Sequence, residues 1–284
     1  MKAAAPFTII YEDDRIIAVN KAAGISVGGD RWDGACERLD KLIEARYSGR
    51  IFTVHRIDRD TSGVVVFARD PETHKRLSAA FENRQVIKRY IAVIHGRPSW
   101  KETVCDLPLV PDGDKLHRTI IDKYHGKKAL TRFRIAGSAG NYTVAEALPE
   151  TGRTHQIRVH LASLGHPIVC DALYGAIARR GGSEKGVFLS SFKKGWRGNS
   201  VNERALLFRL GLHAARLSLP DYTERDCPAG RKDAATDANP PALPRPDAAG
   251  NADRGLSFYA PPARDIGALI SQLEKCGGFT LHSC

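Results

Sequence analysis

The 284-residue sequence has no C-x-x-C pair, no internal repeat, and no apolar stretch near the roughly 20 residues that a membrane helix requires. Its six cysteines, at positions 36, 105, 170, 227, 276 and 284, are scattered. That spacing excludes a zinc ribbon or a small disulfide framework and leaves reduced thiols as the reading. His155 and His160 stand five apart without the Glu that a metalloprotease helix carries, so no metal is expected. The start, Met1 to Phe7, lacks the apolar core of a secretion signal, and a cytoplasmic protein without a membrane partner is expected. Acidic side chains are in deficit: 32 Asp and Glu against 43 Lys and Arg leave a net charge of +11. Such a balance suits a polyanionic partner, most commonly nucleic acid, but permits it rather than specifies it.

The apolar patterning reads as an α+β domain around a mainly antiparallel, mixed central sheet flanked by helices and loops. Phe7–Tyr11 and Ile16–Lys21 form a hairpin across a charged turn. Asp33 is placed to cap a helix carrying Leu39, Ile43 and Tyr47 on one face. Residues 51–57 read as a strand, and Val64–Ala68 as a buried one. Asp70-Pro71 opens a helix, with Pro at the first helical position. Lys88–His95 is a further strand, and two more flank the 137–140 turn. A short helix over 154–164 ends at Gly165, ahead of Pro167. A late strand lies within 206–219, and 265–273 adds one more helix. Two stretches look inserted: a basic one over 176–205, and an Ala/Pro-rich one over 223–255 whose composition predicts disorder.

The chemistry-bearing stretch is His55-Arg-Ile-Asp-Arg-Asp-Thr-Ser-Gly-Val64. Alternation along a strand puts Arg56 and Asp58 on one face, ahead of a Thr-Ser-Gly turn. From spacing alone, a structural Arg–Asp pair and a catalytic one are equally good readings. His55 to Gly63, however, resembles the H-R-L-D-x-x-T-S-G signature of the RluA-type pseudouridine synthases, with Ile57 in place of Leu. Lys88-Arg-Tyr-Ile-Ala-Val93 resembles that family's K-x-Y-x-A-x strand, and Thr151 to Ala162 its T-G-R-x-H-Q-I-R-V-H-x-A block. Gly165-His-Pro-Ile168, Asp171-x-x-Tyr174-Gly175, Leu212-His-Ala214 and Phe258-x-Ala-Pro261 continue the resemblance in order. One departure is Ala22, near which the family typically has Pro.

The resemblance implies the pseudouridine synthase catalytic fold over residues 7–265, broken by the insertions at 176–205 and 223–255. Residues 266–284 are then a C-terminal tail, and no accessory RNA-binding domain precedes the fold. It implies a monomeric isomerase, free of cofactor and metal, that converts uridine in ribosomal or transfer RNA to pseudouridine. Asp58 would be the nucleophile, attacking either the sugar C1′ or the base C6. Arg158 would pair with it, and Tyr90 would stack on the base and assist proton removal. Arg56 would fill the gap left by a flipped nucleotide, or contact phosphate instead. Arg153 and Lys21 are placed among the RNA contacts. Thr61, Ser62 and Gly63 shape the turn that aims Asp58, and His55 and His160 are structural. A different class, an RNA-binding or ribosome-assembly factor with secondary or lost catalysis, fits the charge equally well. A glycosidase would instead release free base.

Overall fold

A computed structural model describes residues 5–29, 37–47, 49–175, 186–198, 202–221 and 255–281. The chain opens with β1 (Phe7–Glu12) and β2 (Ile16–Lys21), an antiparallel hairpin. The Asp13 carboxylate closes its turn by accepting from the backbone N–H groups of Arg15 and Ile16, at 2.8 and 2.7 Å. Helix α1 (Leu39–Arg46) follows, then β3 (Phe52–Thr53) and β4 (Ser62–Ala68), buried along its whole length. The helix-opening signals at Asp70-Pro71 hold: α2 spans Pro71–Glu82, and the Asp70 side chain accepts from Thr73 N–H at 2.9 Å. Strands β5 (Ile87–His95), β6 (Glu102–Cys105), β7 (Leu109–Val110), β8 (Ile120–Ile121), β9 (Thr131–Ala139) and β10 (Tyr142–Pro149) lead into α3 (Gln156–Ser163). Then come β11 (Leu212–Leu219), β12 (Leu256–Tyr259) and α4 (Arg264–Gly277).

One sheet runs β1-β2-β4-β11-β5-β10-β9-β6, with β3 added to β4 and β12 to β11; β7 and β8 pair separately. Its described pairings are antiparallel except β4–β11. Strand alternation sorts the core into two faces. Ile91 and Val93 of β5 pack with α4, while Val64 and Val66 of β4 pack with α2. On the opposite face, Ala92 and Ile94 meet Ile157 and Leu161 of α3, and Val65 and Phe67 meet Leu39 and Ile43 of α1.

Two expectations need correction. The strand predicted over 51–57 is only Phe52–Thr53, because the next residues leave the ladder to form a loop, although Ile57 still turns inward. The supposed tail from 266 is not peripheral. Ile266, Leu269, Ile270 and Leu273 of α4 are core residues, so a boundary at 265 would cut through one packed unit. The described part of the basic insertion is anchored as well: Val187 bridges to Leu207, and Val187 and Phe192 are buried beside α4. The expected cap at Asp33 and the Ala/Pro-rich stretch, apart from residue 255, lie outside the described residues.

Candidate active site

Tyr90 lies where the α3 core and the α1 core meet, packed against both. Strand β5 fixes it, with Ala214 and Ala147 as its neighbours in register on either side. Asp58 arrives from one side on the loop between β3 and β4, its neighbour Ile57 anchored in the α1 core. Its backbone is held by a turn in which Thr61 N–H donates to Asp58 C=O at 3.1 Å. Arg158 arrives from the other side on α3, whose Ile157 and Leu161 are buried against the sheet.

The guanidinium of Arg158 divides its donors. Its Nε and Nη2 donate to Asp171 Oδ2 and Oδ1, both at 2.8 Å, in a buried bidentate pair. Its Nη1 stands 3.5 Å from Asp58 Oδ2. The Arg158 side chain is 5% exposed and that of Asp58 25%, so the pair has a closed side and an open side. Burial works against the charge of Arg158, but the Asp171 bonds and the charges of Asp171 and Asp58 outweigh it and raise its pKa. Asp171 Oδ1 also accepts from the N–H groups of Leu173 and Tyr174, at 2.9 and 3.1 Å. The Tyr174 ring lies under the guanidinium, 5.1 Å from Cζ to the centroid. Its hydroxyl accepts from Thr119 N–H at 3.0 Å and bonds His155 Nδ1 at 2.9 Å. That bond anchors His155, which precedes α3 with a left-handed φ of 53°. Burial, then the charge of Asp58, raises the pKa of Tyr90, which keeps its phenol protonated.

A family model described as RNA pseudouridylate synthase matches residues 15–163, more than half of the 284. The chain belongs to that family. Its RluA-type character shows in relatives such as the ribosomal large subunit pseudouridine synthase D of Zymomonas mobilis, 36% identical over 60% of this chain and 56% of that one. The dual-specificity RNA pseudouridine synthase RluA of Vibrio vulnificus is 36% identical over 60% of this chain and 70% of its own. The chain thus spans little more than half the length of some curated relatives it matches. Among solved structures, human RNA pseudouridylate synthase domain containing 4 shares the fold (TM-score 0.64, 23% identity), over 94% of this chain and 92% of that one. Domain containing 1 of the same human series has a TM-score of 0.59 and 25% identity, over 79% of this chain and 83% of that one.

In this pseudouridine synthase domain, three of the expected site residues, Asp58, Tyr90 and Arg158, converge. Arg56 is exposed two residues before Asp58. Arg153 is exposed at the approach to α3, its Nε donating to Lys128 C=O at 3.1 Å. Lys21 does not fit the expectation of an RNA contact. It is fully buried, and its three N–H donors go to the carbonyls of Ala22, Ile25 and Arg59 at 2.8–2.9 Å. It ties the end of β2 to the loop that carries Asp58. Burial lowers its pKa to about 7, against the pull of Asp60 and Asp58. His55 and His160 are structural, as expected. His55 Nε2 accepts from Val66 N–H at 3.0 Å, and its ring stacks on Phe81. His160 bonds Thr131 Oγ1 and Leu107 C=O, both at 3.0 Å.

Sequence reasoning missed the roles of Asp171 and Tyr174, although both stand in the D-x-x-Y-G block. It also passed over the segment around β7 and β8. There Lys115, Lys123, Lys127 and Lys128 are exposed and Tyr124 is 91% exposed. Asp114 and Asp122 are turned onto Arg118 and His125 of the same segment. Arg118 Nη1 donates to Leu173 C=O at 3.1 Å, which docks this basic arm beside Tyr174. The lysine run and the lone Tyr were the available signals. Among the described residues, no three His, Cys, Asp or Glu side chains gather as a metal would need.

Proposed function

We propose that this protein isomerises uridine to pseudouridine in RNA, with Asp58 as the nucleophile and with the target nucleotide flipped out of its stack. The observation that carries the reading is the carboxylate of Asp58, open on one side and faced by the buried Arg158 at 3.5 Å. An ionised, compact carboxylate can attack the nucleoside and leave again. Arg158, held from behind by Asp171, supplies fixed countercharge as the bound base excludes water. The C1′–N1 bond breaks, C5 bonds to C1′, the C5 proton departs, and N1 takes up a proton. The reaction therefore balances without oxidant or co-reactant.

Tyr90, a neutral phenol, presents a ring face for the uracil and an O–H; its raised pKa disfavours a role as a ready base. Flipping costs a few kcal/mol, and exposed Arg56 beside Asp58 suits the vacated stack. Arg153 and the β7–β8 arm supply phosphate contacts and, at Tyr124, an open aromatic face.

Because the C5 hydrogen is lost, tritium release from RNA labelled at uridine C5 measures the reaction. Relatives named for the ribosomal large subunit make that RNA the first substrate to try, with transfer RNA second. Wild-type protein should release tritium without free uracil. Asp58→Asn should bind RNA equally and release none. Full activity in Asp58→Asn removes the nucleophile. Binding without release by the wild type leaves an RNA-binding factor, and free uracil indicates a glycosidase.

A further inference from the structure

Strands β4 and β11 meet at the one parallel pairing among the described strands, through two residue pairs only: Ser62 with His213, and Gly63 with Ala214. The approach is so close that a Cβ on Gly63, whose φ is +120°, would lie 2.1 Å from Ala214 C=O. Ser62 begins β4 directly after the turn closed on Asp58 C=O. Whatever fixes Ser62 therefore fixes the root of the Asp58 loop.

Ser62 and His213 are both fully buried, with Ser62 Oγ 2.9 Å from His213 Nδ1. On the far side of the ring, Nε2 is 2.9 Å from Ala260 C=O. A carbonyl cannot donate, so Nε2 carries the proton, Nδ1 accepts, and the Ser62 hydroxyl donates to it. Arg209 Nη1 donates to the same oxygen at 3.4 Å, and Arg209 is itself held bidentately by Asp265, at 2.7 Å for both bonds, in the first turn of α4. One hydroxyl thus gathers β4, β11, the residue after β12, and α4.

We propose that Ser62 and His213 are positioning residues, a buried clasp that sets where Asp58 stands relative to Arg158 and Tyr90. The inference rests on Asp58 being the nucleophile. Displacing a reacting group by about 1 Å can cost on the order of 100-fold in rate with little effect on binding. A bond that merely fills the core would change stability and leave the kcat of folded protein alone.

The test is steady-state tritium release by full-length variants, with melting temperature measured in parallel. Ser62→Ala and His213→Gln, which remove the donor and the acceptor of the clasp, should lower kcat on the order of 10- to 100-fold with KM for RNA nearly unchanged. His213→Asn places an amide oxygen where Nδ1 was and should recover most of the rate, even if it melts no higher than His213→Gln. Ser218→Ala, which removes an exposed bond to Ser257 between β11 and β12, should match the wild type. Wild-type kcat in folded Ser62→Ala, a loss confined to KM, or equal losses in the two His213 variants would each overturn the proposal. Should Ser62→Ala not fold, Asp265→Asn tests the same chain from its partly open end, and an unchanged kcat there also overturns it. The two readings fail differently. An active Asp58→Asn defeats the nucleophile, whereas an inactive Asp58→Asn beside a fully active Ser62→Ala defeats only the clasp.

Discussion

The α3 side and the loop side of the site form two walls that hold their polar groups in opposite ways. On the α3 wall, Arg158 sits in a buried ionic cluster with Asp171, over the Tyr174 ring. On the loop wall, the loop is tied to the sheet by neutral side-chain bonds, Val66 N–H donating to His55 Nε2 and the Ser62 hydroxyl to His213 Nδ1. Lys21, clamped on three carbonyls, is the exception. A helix satisfies its own backbone and can spend a side chain on charge. A loop that leaves the sheet has no ladder to hold it and is fixed by side chains instead, Lys21 on Arg59 C=O among them. Each wall is therefore vulnerable in its own way: the helix wall to loss of a charge, the loop wall to loss or gain of a proton.

The heaviest penalty should fall on the helix wall. Asp171→Ala leaves the guanidinium of Arg158 buried with Asp58 as its remaining ion-pair partner, and stability should fall by about 3–5 kcal/mol in urea denaturation. Asp58→Asn removes a partner on the open side of the same guanidinium and should cost less than about 1 kcal/mol. Equal costs would mean that the two faces of Arg158 are alike, and the contrast between closed and open sides would disappear. Acid should strike the other wall first. Burial lowers the pKa of His213 to about 4, against about 6.5 in the unfolded chain. As pH falls below about 6.5 the unfolded state takes up a proton that the folded state refuses. Stability is therefore fully present above that pH and declines toward pH 4, by about 3 kcal/mol from this residue. His55, lowered to about 3, adds in the same direction, by less because part of the residue meets solvent. Asp171 is held below the usual carboxylate range against the opposing effect of burial, chiefly by its bonds to Arg158. His155 and His160 on the α3 wall are pushed the same way by burial, so both walls weaken in acid. The larger shifts of His213 and His55 should make amide exchange over 62–66 rise before exchange in α3 as pH drops toward 4.5. The reverse order would contradict this division between the walls.

The same contrast explains what could be read from the residues. Helices α2 and α3 and the long strands were legible because each carries its signals locally: Asp70-Pro71, the Ile157–Leu161 stripe, and Gly165 with a φ of +81°. The convergence of Asp58, Tyr90 and Arg158 was legible only through ordered motif blocks, since they come from a loop, a strand and a helix far apart in sequence. What failed was whatever depends on a distant partner. The 51–57 strand looked continuous because alternation persists in an extended loop even where no neighbour offers hydrogen bonds. Lys21 looked like an RNA contact because nothing local shows that Ile25 and Arg59 carbonyls close around it. Asp171 stood in a recognised block, but its bond to Arg158 spans 13 positions and the turn after α3.

Lys21 adds a further effect on the loop wall, of the same pH sign as His213 but in a more alkaline window. Its pKa in the fold is about 7, well below the roughly 10.4 of an exposed lysine. Between those values the unfolded chain holds a proton that the folded chain releases, so stability from this residue falls as pH drops toward 7. Above about 7 the folded chain gives up its proton while the unfolded chain keeps one, so the unfolded state binds more protons and stability rises with pH. The slope approaches about 1.4 kcal/mol per pH unit. Lys21→Met should remove that slope from urea midpoints measured at pH 7, 8 and 9, and lower kcat by freeing the Arg59 carbonyl. A slope unchanged by the substitution would mean that the three carbonyls hold the ammonium charged throughout.

The mildest change leaves both walls intact and alters only what reaches them. Lys127 and Lys128 are exposed at the end of the β7–β8 arm, and Lys128 C=O is the acceptor for Arg153. Both residues are exposed, whereas Arg158 is buried, so replacing them with Gln should leave melting temperature and kcat unchanged. Removing one phosphate contact should flatten the dependence of log affinity on log salt by about 0.7 to 0.9, the lower figure for a single strand. The KM for RNA should therefore rise most at low salt, where released counterions contribute most to binding. If the slope does not change, the arm is not part of the RNA footprint. If kcat falls as well, the arm reaches the reacting base, and the separation between the walls of the site and the outer surface does not hold.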